Sequence, residues 1–211
     1  MTRPSARHVL PGFTEGTVSG HRTTDPYARL FRERIVVLGS ALDETAANDV
    51  MAQLMHLEHH APERDVSLCI NSPGGSFHAA SALHDTLRYV TCDVETVCLG
   101  RAEGTAALLL AAGAPGKRLV LPGSRLVLRQ PAVTEPIQGR ASELAARAEE
   151  MDRLRARTAE MLARYTGRTA ERVRADMERD LVLDAQAAVD YGLADRIVPH
   201  RKGALAGTGP R

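Results

Sequence analysis

The segment that most constrains the fold is a strand-like run, Val94 to Leu99, followed closely by a helix of small residues. The run is rich in β-branched residues, which favour strands. It stops at Gly100, and the predicted helix begins near Gly104 and continues to Gly113. These two elements therefore predict a sharp strand-to-helix corner at the centre of the chain.

Corners of this kind hold the nucleophile in many hydrolases. The side chain at the corner projects sharply, and the backbone N–H groups that follow it face outward. In this chain the corner residue is Gly104. Glycine has no side chain, so this residue cannot attack a substrate.

The rest of the chain alternates strand and helix patterns, which predicts an α/β fold with a largely parallel sheet. A helix capped by Asp43 is expected to reach His59, and a long, highly charged helix over 141–166 is expected to project from the domain. The predicted strands are 35–38, 66–70, 94–99, 118–121, 125–128 and 197–198. The predicted apolar positions of the two helices are Val50, Met51, Leu54, Met55 and Leu57, and Leu144, Met151, Leu154, Thr158 and Met161.

Composition excludes several classes of function. Lys and Arg number 27 against 26 Asp and Glu, so a net charge of +1 gives no reason to expect nucleic acid or a membrane surface as a partner. The cysteines Cys69, Cys92 and Cys98 are odd in number, and their spacing suits neither a disulfide framework nor a zinc site. We expect buried thiols and no metal or cofactor.

No membrane-span or signal-peptide pattern is evident, which predicts a cytoplasmic protein. Residues 1–24 are aperiodic and rich in small and polar residues, and we expect a flexible segment there. The predicted domain covers 25–200, and the polar residues 201–211 predict a disordered tail.

Short stretches in the same order along the chain resemble the proteolytic subunit of the bacterial Clp protease, particularly its actinobacterial members. The matching stretches are 25–27, 32–35, 47–54, 70–76, 109–118, 121–122, 130–131, 178–180 and 191–193. The resemblance implies a crotonase-type α/β fold in which the long helix is a "handle". It also implies that seven subunits form a ring, that two rings stack as a tetradecamer around a chamber, and that a hexameric ATPase feeds in unfolded protein.

Members of this family cut peptide bonds with a Ser-His-Asp triad, and this chain departs from it at two positions. The serine position is Gly104, the histidine position before Gln-Pro is Arg129, and the aspartate is retained as Asp180. The resemblance implies that the backbone N–H groups of Gly75 and Thr105 form the oxyanion hole. We therefore predict a catalytically degenerate subunit.

An arginine at the base position stays protonated and cannot accept a proton. We predict that Arg129 instead contacts Asp180, as a bidentate pair with a partly buried carboxylate. Thr105 could be a relocated nucleophile, but no histidine occurs between His84 and His200 to serve it. We expect His59, His78 and His84 to be surface or packing residues.

The resemblance also implies an edge pocket that receives an ATPase loop and is lined in part by aromatic residues of the strand before the Pro-Gly-Gly turn. Two of its positions are Ser67 and Cys69 here, and Tyr89 keeps an aromatic ring at a third. The expected partners are other Clp proteolytic subunits, with ATPase docking weakened on this subunit. Two alternatives stay open, a hydrolase with non-triad chemistry and a crotonase-like acyl-CoA enzyme.

Overall fold

The computed structural model describes residues 13–17, 20–132 and 138–199, and gives the backbone alone before residue 25. The predicted tail at 201–211 lies outside these residues, as does much of the segment 1–24. The strands are β1 Phe13–Thr17, β2 Gly20–Thr24, β3 Ile35–Leu38, β4 Val66–Ser72, β5 Val94–Glu103, β6 Arg118–Val120, β7 Arg125–Leu128, β8 Leu181–Leu183 and β9 Arg196–Ile197. The helices are α1 Pro26–Arg32, α2 Glu44–His60, α3 Phe77–Tyr89, α4 Thr105–Ala111, α5 Ala141–Thr166, α6 Ala170–Asp176 and α7 Ala185–Tyr191.

The main sheet follows the order β3-β4-β5-β6-β9, and β7 joins it by pairing with β5 and with β8. Its pairings are parallel except between β7 and β8. The α/β fold with a largely parallel sheet is therefore confirmed. A separate antiparallel hairpin joins β1 to β2, which the aperiodic composition of that segment did not predict.

Strand β5 differs from the prediction because it continues past Gly100 to Glu103. Its first half pairs with β6, and its second half pairs with β7. The change of partner occurs at Gly100, where φ is +103°, and the register with β4 shifts between Ile70 and Ser72. The glycine thus kinks the strand rather than ending it. This kink carries the end of β5 towards β7.

Helix α2 begins as predicted, because the side chain of Asp43 accepts a hydrogen bond from the Ala46 N–H. Val50 and Leu54 lie on its buried face. Met55 was assigned wrongly to this face and is 50% exposed. One residue further along a helix lies about 100° around its axis, so the neighbour of Leu54 points away from the core.

Helix α5 projects from the domain, which confirms the predicted handle helix. All of its first ten residues are exposed, and this includes Leu144, which was expected on the apolar stripe. Thr158 and Met161 near its other end are buried. The last turn is fixed at Tyr165, whose hydroxyl lies 2.6 Å from His84 Nε2 and whose carbonyl accepts a hydrogen bond from Arg118 Nη1 at 3.2 Å.

Candidate functional site

The corner between β5 and α4 has a backbone conformation that few residues adopt. Gly104 has φ +54° and ψ −115°, and its N–H donates to the Val127 carbonyl at 2.8 Å. A side chain in this sparsely populated region is strained, as at the nucleophile turn of hydrolases. The chain therefore has a sharp turn of the nucleophile type, with a glycine that adopts it freely.

Arg129, one residue beyond β7, lies over this turn. A Cβ atom added to Gly104 would lie 3.2 Å from Arg129 Cγ and 3.6 Å from Cδ. The aliphatic part of Arg129 therefore covers the space into which a side chain at position 104 would project. The Arg129 side chain is 39% exposed.

The guanidinium of Arg129 joins two carboxylates. Its Nη2 lies 2.7 Å from Asp180 Oδ2, which confirms the predicted contact. The expected bidentate geometry is wrong, because Nη1 instead lies 3.5 Å from Glu103 Oε2. The expected partial burial of Asp180 is also wrong, since its side chain is 54% exposed. Arg129 Nε is buried and meets no acceptor among the described residues.

Glu103 is a site residue that the sequence reasoning missed. Its side chain is 15% exposed, and it contacts Arg129 and, at 3.9 Å, Arg101. Because Glu103 directly precedes Gly104 in the sequence, its place at the site could have been predicted. It was missed because β5 was expected to end at Gly100.

The Pro-Gly-Gly turn after β4 lies against the corner. The amide groups of Gly74, Gly75 and Ser76 are all engaged in hydrogen bonds within the chain. Gly74 N–H donates to Ser72 Oγ at 3.1 Å, Gly75 N–H donates to Thr105 Oγ1 at 2.9 Å, and Ser76 N–H donates to the Leu42 carbonyl at 2.8 Å. The structure thus brings Gly75 and Thr105 together.

The histidines expected to be surface or packing residues lie on helices. His59 and His78 are exposed on α2 and α3. His84 is buried on α3, where its ring nitrogens lie 3.0 Å from Asp85 Oδ1 and 2.6 Å from the Tyr165 hydroxyl. These contacts give His84 a structural role between α3 and α5.

The residues of the expected partner pocket lie on two elements. Ser67 and Cys69 are half-buried on β4, two positions apart and thus on the same face of the sheet. Ser67 Oγ donates to Glu95 Oε1 at 3.1 Å. Tyr89, the last residue of α3, is 75% exposed. These two positions on β4, an interior strand between β3 and β5, therefore carry small side chains, while the Tyr89 ring is exposed at the end of α3.

The cysteines are thiols, as expected. Cys92 and Cys98 are buried, but Cys69 is only half-buried, which corrects the expectation for that residue. Burial raises the pKa of Cys98 to about 11, although a hydrogen bond with Ser124 acts in the opposite direction. Cys98 is therefore protonated at neutral pH.

Two further properties concern the described ranges as a whole. Within them, no group of three or more His, Cys, Asp or Glu side chains is placed to hold a metal ion. No helix in the same ranges combines the length and apolarity that crossing a bilayer requires.

The comparison with protein families shows which family this chain and its site come from. The Clp protease profile matches residues 18–201, most of the chain. The chain belongs to the Clp protease family. The resemblance inferred from short motifs is thus confirmed, together with the fold that it implied.

Curated relatives agree with the Clp protease assignment. The chain is 63% identical to an ATP-dependent Clp protease proteolytic subunit-like protein of Streptomyces coelicolor, over 100% of both chains. It is 52% identical to the ATP-dependent Clp protease proteolytic subunit 1 of Corynebacterium diphtheriae, over 96% of both chains. It is 48% identical to the proteolytic subunit 2 of Corynebacterium jeikeium, also over 96% of both.

Proposed function

We propose that this chain is a non-catalytic subunit of a Clp-type peptidase assembly, in which it contributes structure and regulation. The observation that carries the proposal is the position of Arg129. Its stem covers Gly104, where the family has its nucleophile, and its guanidinium binds Asp180, the remaining member of the triad. The Arg129–Asp180 ion pair thus takes the place of the histidine–aspartate contact of the triad.

The chemistry of acyl transfer supports this conclusion. The reaction requires an oxygen to attack the carbonyl and a group of near-neutral pKa to take its proton. Gly104 supplies no oxygen, and a guanidinium keeps its proton at any physiological pH. Loss of a triad lowers turnover by about 10⁶-fold, and the remaining groups retain only about 10³–10⁴-fold over water.

A relocated nucleophile receives no support from the geometry around Thr105. In the described part of the chain, Thr105 Oγ1 makes its hydrogen bonds to the backbone N–H and carbonyl of Gly75. Neither group can act as a general base. The Thr105 hydroxyl is therefore bound to the Gly75 backbone, with no base beside it to take its proton.

Assembly with related subunits follows from the family and from α5. Relatives in Corynebacterium are named proteolytic subunit 1 and proteolytic subunit 2, and such numbered subunits support an assembly with more than one kind of subunit. The first ten residues of α5 are exposed in the single chain and offer a surface for a neighbouring subunit. We propose a cytoplasmic ring assembly, homomeric or mixed with active relatives.

We propose that an ATPase loop docks only weakly on this subunit, because the expected pocket positions have lost aromatic residues. Ser67 and Cys69 stand where the family has aromatic residues, and Ser67 is hydrogen-bonded to Glu95. Large aromatic side chains commonly anchor such interfaces, so their replacement by serine and cysteine removes apolar area and stacking. Tyr89 alone keeps an exposed ring at these positions.

The test is to purify the full chain alone and together with active Clp subunits of the same cell. Cleavage of casein and of fluorogenic peptides, labelling by a fluorophosphonate, and native mass are then measured. We expect neither cleavage nor labelling by the chain alone, and mixed rings without labelling of this chain. Labelling of this chain, or cleavage by it alone, would contradict the proposal.

The variant Asp180→Ala is the matched control. Activity from a contaminating protease would be equal in this variant and in the unchanged chain. Activity that depends on the retained aspartate would fall. Tight binding of coenzyme A, measured on the same samples, would favour the acyl-CoA alternative instead.

A further inference from the structure

We propose that the hydroxyl of Thr105 closes the oxyanion hole of this chain from within. The inference rests on the proposed function, because it takes this chain to be a degenerate Clp peptidase whose oxyanion hole, by resemblance to the family, is formed by the backbone N–H groups of Gly75 and Thr105. It adds a third obstacle to catalysis, beside the missing nucleophile and the missing base. The Thr105 oxygen takes the hydrogen bond that a substrate carbonyl oxygen would need.

The Thr105 hydroxyl binds the Gly75 N–H in the way that a substrate carbonyl oxygen would. Gly75 N–H donates to Thr105 Oγ1 at 2.9 Å, an ordinary length for an N–H···O bond. The same hydroxyl reaches the Gly75 carbonyl at 3.4 Å. Thr105 is 6% exposed, so its side chain is enclosed by the protein rather than mobile in solvent.

Close packing holds the hydroxyl in this place. A Cβ atom added to Gly74 would lie 3.1 Å from Thr105 Oγ1 and 3.2 Å from its backbone nitrogen. Gly74 has φ +78°, a conformation that glycine adopts readily. The turn after β4 and the first residue of α4 are therefore in direct contact.

The remaining amides of the turn offer no substitute donor. Gly74 N–H is bound to Ser72 Oγ, and Ser76 N–H is bound to the Leu42 carbonyl. A substrate carbonyl could bind at Gly75 only by displacing the threonine hydroxyl and leaving it buried. Removal of one oxyanion-hole donor lowers turnover by about 10²–10³-fold in a serine hydrolase. An occupied donor has the same consequence.

Hydrogen exchange tests this bond directly in the full chain. Exchange at the Gly75 amide is measured for the unchanged chain, Thr105→Val and Thr105→Ser, relative to an amide in the centre of β4. Valine keeps the shape and removes the acceptor, whereas serine keeps the hydroxyl. We expect at least tenfold faster relative exchange in Thr105→Val and no change in Thr105→Ser. Equal relative exchange in the two variants would overturn the proposal.

A labelling experiment tests the consequence for chemistry. Gly104→Ser and Arg129→His are combined to supply an oxygen and a base, and Thr105→Val or Thr105→Ser is then added. We expect fluorophosphonate to label the variant with valine at least tenfold faster than the variant with serine at position 105. Equal labelling rates would refute the proposed effect on catalysis. Cleavage by the unchanged chain would overturn the proposed function instead, so the two failures are distinguishable.

Discussion

A side chain placed at Gly104 should destabilise the chain by about 1–3 kcal/mol, and alanine and serine should cost nearly the same. The reason is the backbone at this position, with φ +54° and ψ −115°. Residues other than glycine are strained in such a conformation whether or not they carry a hydroxyl. The backbone conformation of the corner thus predicts a loss of stability that does not depend on whether the new side chain could act in catalysis.

A second contribution comes from Arg129, and its size can be bounded. The new Cβ atom would lie 3.2 Å from Arg129 Cγ, so the flexible stem would have to move by a few tenths of an ångström. Movement of the stem would disturb the pairs with Asp180 and Glu103. Arg129 and Asp180 are 39% and 54% exposed, so their pair contributes less than about 1 kcal/mol, and the 3.5 Å contact with Glu103 is too long for a strong hydrogen bond. Backbone strain is therefore the larger contribution.

The assay is urea unfolding at one fixed protein concentration, because assembly changes apparent stability. Gly104→Ala and Gly104→Ser are compared with Gly123→Ala, a turn glycine with open space around its Cβ position. We expect Gly123→Ala to be close to neutral. Equal unfolding free energies for the alanine variants at 104 and 123 would refute the strained turn. If Arg129→Ala removed the whole cost, steric overlap and not strain would be the cause.

Four further predictions concern the Arg118–Asp195 pair, Gly75 and Cys98. Arg118→Met should lower the unfolding free energy by up to about 3–5 kcal/mol in urea titrations, because the partly buried Asp195 carboxylate loses the guanidinium and keeps only the backbone N–H of residue 118. Burial acts to raise the pKa of Asp195, but the hydrogen bonds and charge of Arg118 outweigh it and hold that pKa below its usual value. The stability that this provides is present above about pH 4 and should be lost as the pH falls below it. When the unfolding free energy is measured against pH, the decrease below about pH 4 should be smaller in Asp195→Asn than in the unchanged chain. Gly75→Ala should cost at least about 3 kcal/mol in thermal unfolding, because its Cβ would overlap the Leu42 carbonyl. Cys98, with its pKa raised to about 11, should react with iodoacetamide at pH 8 only after unfolding, as read by mass spectrometry.

Local patterns predicted much of the fold because local interactions fix the elements concerned. Asp43 caps α2 through a hydrogen bond to a residue three positions later, and such a bond is visible in sequence. Gly167, with φ +68°, ends α5 in the left-handed conformation that glycine favours. These features depend on neighbours within one helical turn.

The features that the sequence did not predict depend on partners far along the chain. Strand β5 passes Gly100 because β7 supplies a second pairing partner there. Thr105 and Gly75 are 30 residues apart, and no local pattern indicates that one binds the other. The Arg129 contact with Asp180 was predicted from triad positions, but Glu103 joined it because the strand was longer than expected.

Helix α5 is mechanically a cantilever. Its 26 residues form a rod of about 39 Å, clamped near one end where Tyr165 meets His84 through its hydroxyl and Arg118 through its carbonyl. A tilt of about 5° at this clamp would displace the far tip by about 3 Å. The hydrogen bonds at Tyr165, with the buried Thr158 and Met161, therefore hold the base of the helix, and in the proposed assembly a small change there would shift the surface that the tip offers to another subunit.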